Sequence, residues 1–130
     1  MTIKYLTAKD VLFYHDIILK DTVEDQGIAP HTSIESALHR IDHHITYDDL
    51  DDIYEIAALY GVAIAKGHCF NNGNKRTALV SMLSFLLINN IEIDVGNDII
   101  EELMVEIATD QMDRMQVTAW LKKYTKSWTS

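Results

Sequence analysis

Apolar residues recur along this chain mostly at helical spacing. Thr7-Ala8-Lys9-Asp10 has the form of a helix N-cap with an acid three positions on. Val11, Leu12, Tyr14, His15, Ile18 and Leu19 then follow at roughly helical intervals. Asp21 to Pro30 is polar and holds Gly27 and Pro30, which predicts a loop. A second capping box, Thr32-Ser33-Ile34-Glu35, opens a face of Ile34, Ala37, Leu38, Ile41 and Ile45. Asp48, Asp49, Asp51 and Asp52 crowd the next stretch. A cation site is one reading, but acids also gather in the first turn of a helix, where the macrodipole is positive. The helix they start would bury Leu50, Ile53, Tyr54, Ala57, Gly61, Ile64 and Ala65, and one more step along that face lands on His68.

From Asn74 through Asn89 the chain reads as a helix that is hydrophobic nearly all round, the mark of a central buried element. Asn89-Asn90 stops it. Ile91-Glu92-Ile93-Asp94-Val95 alternates like a short strand and Gly96 closes it. Asn97 caps a helix through about Ala108, burying Ile99 or Ile100, Leu103, Met104 and Ile107. A last helix spans about Gln116 to Thr125 with Val117, Trp120 and Leu121 inward, and the polar tail from Lys122 to Ser130 is expected to fray. The pattern predicts one all-α domain over 1–130, a bundle around the 74–89 helix, with a short strand or β-like segment near 91–95.

Composition narrows the function classes. A hydrophobic content of 48% and a charged content of 24% suit a soluble globular protein. The net charge of −9 repels nucleic acid and anionic membrane, and favours a partner with a basic segment. The single cysteine, Cys69, excludes an internal disulfide and fits a reducing cytoplasm. No apolar run reaches the roughly 20 residues of a membrane span, and Met1-Thr2-Ile3-Lys4-Tyr5 lacks a signal-peptide core. A cytoplasmic location is expected.

Chemistry concentrates in His68-Cys69-Phe70-Asn71-Asn72-Gly73-Asn74-Lys75-Arg76-Thr77. This stretch ends one helix and begins another. The backbone N–H groups that open a helix have no internal partner and point outward, so they can hold an anion. Lys75 and Arg76 place two cations where they oppose the dipole unless an anion is supplied. Gly73 allows close backbone approach, and the amides of Gly73, Asn74 and Lys75 can form an anion-binding nest. Arg76 offers a bidentate fork to phosphate oxygens, and Lys75 a compact charge. His68 alone would read as a histidine at a helix end; followed by Phe-x-Asn-Gly-Asn-Lys-Arg it reads as a base.

The same residues resemble the signature of the Fic/Doc superfamily, His-x-Phe-x-(Asp/Asn/Glu)-(Gly/Ala)-Asn-(Gly/Lys)-Arg. The resemblance implies a small all-α fold and makes His68 the catalytic base, taking a proton from a hydroxyl of a target protein. It also assigns Gly73, Asn74, Lys75 and Arg76 to the phosphates of ATP, and makes Phe70 an anchor of the loop. The position of Asn72 in many relatives is an acid that ligates Mg²⁺. An amide oxygen there can still bind the ion, with one negative charge fewer. Members that transfer AMP carry glycine where Lys75 stands and a second arginine where Leu79 stands. Both differences resemble the Doc toxin branch, which transfers the γ-phosphate to a threonine of elongation factor Tu and halts translation. His15-Asp16 and Lys66-Gly67 also look Doc-like. The resemblance implies a Phd-type antitoxin as partner, with elongation factor Tu or another translation protein as target. AMP transfer is the alternative reaction, and Asn72 motivates a third reading, a catalytically weakened nucleotide- or protein-binding module. Outside the signature, His39 and His43 stand at i, i+4 with His31 and His44 nearby; without a flanking acid or cysteine they read as surface histidines.

Overall fold

A helical hairpin sets the architecture. Helix α3 (Ile53–Gly67) and helix α4 (Asn74–Ile88) pack against each other along their length. They run antiparallel: Tyr60 of α3 meets Phe85 of α4 at 5.1 Å between ring centroids, and the next residue, Gly61, faces Met82 further back along α4. A Cβ on Gly61 would lie 2.7 Å from the Met82 sulfur, so glycine is what lets the two helices approach here. The computed structural model describes residues 2–19, 33–67, 74–109 and 111–127. The predicted loop over 21–30 lies outside them.

The remaining elements wrap this hairpin. Helix α1 (Ala8–Leu19) packs on α4 and on helix α2 (Ser33–Tyr47), and α2 packs on α3. After strand β1 (Ile91–Ile93) come helix α5 (Asn97–Ala108) and helix α6 (Arg114–Tyr124), both against α3. Strand β2 (Thr125–Ser127) pairs antiparallel with β1, in the register Ile91 with Ser127 and Ile93 with Thr125. The described residues are therefore mostly helical with a short strand at 91–93, as the apolar spacing predicts, and that strand pairs with a second one that the spacing does not predict.

Each cap has a local cause. The Thr7 N–H donates to Asp10 at 2.9 Å while the Asp10 N–H donates to the Thr7 hydroxyl at 3.2 Å, the reciprocal box expected at the start of α1. Of the four clustered aspartates, Asp52 takes the capping role: its Oδ1 accepts from the N–H of Tyr54 at 2.9 Å and of Glu55 at 3.4 Å. Asp48 instead receives His44 Nδ1 at 2.9 Å, and His44 Nε2 meets Arg114 of α6. At the far end of α4, Asn90 adopts a left-handed φ of 68°. The Asn89 amide beside it donates to Phe85 O at 2.8 Å and to Lys4 O at 3.0 Å, and accepts from Lys4 N–H at 3.0 Å. Asn89 thus ends the helix and fastens the N-terminal segment to it.

The core differs from the periodic expectation in three places. Leu50, Ile53 and Tyr54 are only half-buried, whereas Ile56, Ala58 and Tyr60 are wholly buried. The reason is that α2, α4, α5 and α6 all press on α3, so more than one stripe of it is covered. On α4, Leu87 is 45% exposed while Thr77 and Ser81 are wholly buried. The tail also departs from fraying. Lys122 lies in α6 with its ammonium 2.8 Å from Asp52, and residues 125–127 form β2.

Two ionisable groups report the burial. Burial pushes the Tyr60 hydroxyl up to about 12, although the Leu6 N–H donating to it at 3.2 Å pulls the other way. Burial also works to raise the Asp52 carboxyl, but Lys122 and the two capping N–H groups outweigh it, leaving Asp52 below its ordinary value. The unfolded chain then binds this proton more readily than the folded one. Stability from Asp52 is therefore present above about pH 4 and lost as pH falls through the lowered folded value. Urea unfolding at pH 7 and pH 3 is expected to show a smaller acid loss for Asp52→Asn than for the unsubstituted chain; equal losses would refute this role.

Candidate active site

The antiparallel packing brings the C-terminal end of α3 and the N-terminal end of α4 to the same end of the hairpin. Gly67 is the last residue of α3 and Asn74 the first of α4. The link between them, 68–73, carries His68, Asn72 and Gly73, and these three predicted site residues lie outside the described residues. The other three, Asn74, Lys75 and Arg76, form the first turn of α4. Asn74 is half-buried and engaged; Lys75 and Arg76 are exposed, and Arg76 too is engaged.

This first turn contains no acid, unlike the first turns of the other longer helices: Glu35 stands in α2 and Glu55 in α3. Two cations sit there instead, at the positive end of the dipole. Such a turn is electrostatically open to an anion, whose charge would offset both the dipole and the side chains. Directly beyond it, a cleft of about 320 Å³ lies between α4 and α5, lined by Lys75, Arg76, Leu79, Glu101, Met104 and Val105. Its cations stand at one end and its wall is otherwise apolar apart from Glu101. A ligand with an anionic group and a flat apolar body matches that distribution. An apolar groove of about 400 Å³ continues past Leu79 along α4 to Leu87, Glu92 and Ile93.

Leu79 lies in the cleft wall with Arg76 and gives it an apolar surface. Glu101 and Val105 escaped the sequence reading. The one available signal was Val105, an apolar residue on the polar face of α5 that the structure leaves 59% exposed.

Of the four clustered histidines, His31 lies outside the described residues. His39 and His43 are exposed on α2, with the His43 ring stacked at 5.8 Å on Tyr47, and His44 is tied to Asp48 and Arg114. Among the described residues, no group of three or more His, Cys, Asp or Glu side chains could hold a metal ion. No described helix is long and apolar enough to cross a membrane.

The Fic/DOC family pattern matches residues 5–86, which takes in α1 to α3, all but the last two residues of α4 and the whole 68–77 stretch. A protein named Protein kinase doc, from Escherichia phage P1, is 28% identical over 120 residues, covering 92% of this chain and 94% of its own length. Toxin Doc of Mycolicibacterium smegmatis is 35% identical over 123 residues, covering 91% of each chain. With its family pattern spanning residues 5–86 and Doc proteins matching almost end to end, the chain belongs to the Fic/Doc family, in its Doc toxin branch.

Proposed function

We propose that this chain is the toxin of a toxin–antitoxin pair and a protein kinase that moves the γ-phosphate of ATP to a serine or threonine hydroxyl. The observation that carries the reading is the acid-free, doubly cationic first turn of α4 opening onto a cleft walled by Leu79. Lys75, Arg76 and the amides around Asn74 hold the phosphates, and the apolar cleft accepts the nucleoside. His68 takes the proton of the attacking hydroxyl. The hydroxyl oxygen forms a bond to the γ-phosphorus as the bond to the β-phosphate oxygen breaks, and ADP leaves with that electron pair. Because this transition state spreads charge over phosphate oxygens, cations fixed beforehand act mainly by electrostatic stabilisation. Mg²⁺, when bound, neutralises phosphate charge; Asn72 would hold it through a neutral amide oxygen, a weaker donor than a carboxylate for a hard cation.

The target in this reading is a cytoplasmic translation protein, elongation factor Tu first among them, and the antitoxin is of the Phd type. A net charge of −9 favours an antitoxin whose contacting segment is basic. ATP labelled separately at the α- and γ-phosphates, incubated with the chain and a translation extract, tests the reaction. Label is expected in protein from the γ-position only. Transfer from the α-position would replace the kinase by an AMP transferase, and transfer from neither, with ATP still bound, would leave a binding module.

A further inference from the structure

Three wholly buried polar side chains have no part in that reading. His15 on α1 and Thr77 and Ser81 on α4 are each 0% exposed. Thr77 and Ser81 stand at i, i+4 on one face of α4, in its first two turns and directly behind the exposed Lys75 and Arg76. Elsewhere in the chain, three threonine hydroxyls within or just after a helix donate back to the carbonyl four residues earlier: Thr109 to Val105 at 2.7 Å, Thr118 to Arg114 at 2.8 Å and Thr125 to Leu121 at 2.6 Å. The Thr77 and Ser81 hydroxyls do not, and among the described residues neither has a hydrogen-bond partner. Two hydroxyls one turn apart that are buried and unpaired call for a polar group or water facing them.

The packing supplies the face. Tyr5 lies on Phe85 at 6.3 Å and Lys4 pairs with Asn89, so the chain enters at the C-terminal end of α4. Helix α1 then packs back along α4. Its buried stripe passes from Val11 to His15, toward the α4 end that carries Thr77 and Ser81.

We propose that His15, Thr77 and Ser81 form a buried, water-bridged polar contact that fixes the first turns of α4 against α1. His15 is then a positioning residue for the phosphate cradle. The cradle part of this inference rests on the function proposed above; the bridge itself does not.

A double-mutant cycle with two readouts tests it. Thr77→Val keeps shape and removes only the hydroxyl. In the bridge it lowers the thermal midpoint by about 3–5 °C, and its effect does not add to that of His15→Leu. Should His15→Leu fail to fold, His15→Gln replaces it in the cycle. On the second readout, His15→Leu weakens ATP binding about tenfold with transfer at saturating ATP nearly unchanged, and His15→Gln restores most of the affinity. A rise in midpoint for Thr77→Val, or additive effects, would overturn the bridge. Unchanged ATP affinity in His15→Leu would overturn the positioning role. If the unsubstituted chain binds no ATP, the nucleotide reading fails and the unfolding cycle still decides the bridge.

Discussion

His68→Ala is expected to reduce γ-phosphate transfer by about 10²–10⁴-fold, the usual contribution of a positioned general base, while ATP affinity changes little. The two halves of that expectation come from different residues. In the proposed function affinity comes from the first turn of α4, where Lys75, Arg76 and the N–H groups of the helix start provide positive charge whether or not the histidine is present. Transfer needs a group that accepts the hydroxyl proton as the oxygen approaches phosphorus, and alanine cannot accept it. His68 follows directly on Gly67, the last residue of α3, and Asn74 opens α4 six positions later, so along the sequence the proposed base follows one helix and the proposed cradle opens the next. Growth of cells expressing the lone variant gives the second readout: they are expected to grow where cells expressing the unsubstituted chain stop. Transfer retained at the original rate would remove His68 from the chemistry, and loss of ATP binding would move it into the cradle.

How far this arrangement is legible in the sequence depends on the range of the interaction. Caps act over three or four residues, and Thr7–Asp10 and Asn89-Asn90 are visible as they stand. The same signal was available at the last helix, where Asp113 and Gln116 cap each other reciprocally and start α6 two residues before the apolar pattern does. Burial is less readable where several elements converge. One periodic stripe predicts one covered face, but Tyr60 and Ile56 are covered because four helices meet at α3. Pairing across the chain leaves no local trace at all: Thr125-Lys126-Ser127 looks like a polar tail until Ile91–Ile93 is beside it. The site divides in the same way. Lys75 and Arg76 declare themselves by charge at a helix start, whereas Glu101 and Val105 join them only because α5 returns to α4.

Phe85→Ala is expected to destabilise the chain by about 3–5 kcal/mol, the range for truncating a fully buried aromatic side chain. For a chain of this size that lowers the thermal midpoint by about 10–20 °C. Phe85 is wholly buried and joins three segments: its ring lies 5.1 Å from Tyr60 of α3 and 6.3 Å from Tyr5, and its carbonyl accepts the Asn89 amide at 2.8 Å. Removing the ring leaves a void between residues that are themselves pinned. Tyr60 is held by the Leu6 N–H and Asn89 by Lys4, so neither can collapse inward without giving up a hydrogen bond. Leu87, two residues on and equally apolar, is 45% exposed, and Leu87→Ala is expected to cost well under 1 kcal/mol. Function should separate from stability here. Phe85 is eleven residues from Asn74, about 16 Å along the helix, so the folded fraction of Phe85→Ala, measured well below its midpoint, should bind ATP within a few-fold of the unsubstituted chain. Equal midpoints for the two alanine variants would show that α4 is not held to α3 through Phe85; normal stability loss with ATP binding abolished would show that the cradle depends on the whole length of the helix, not on its first turns.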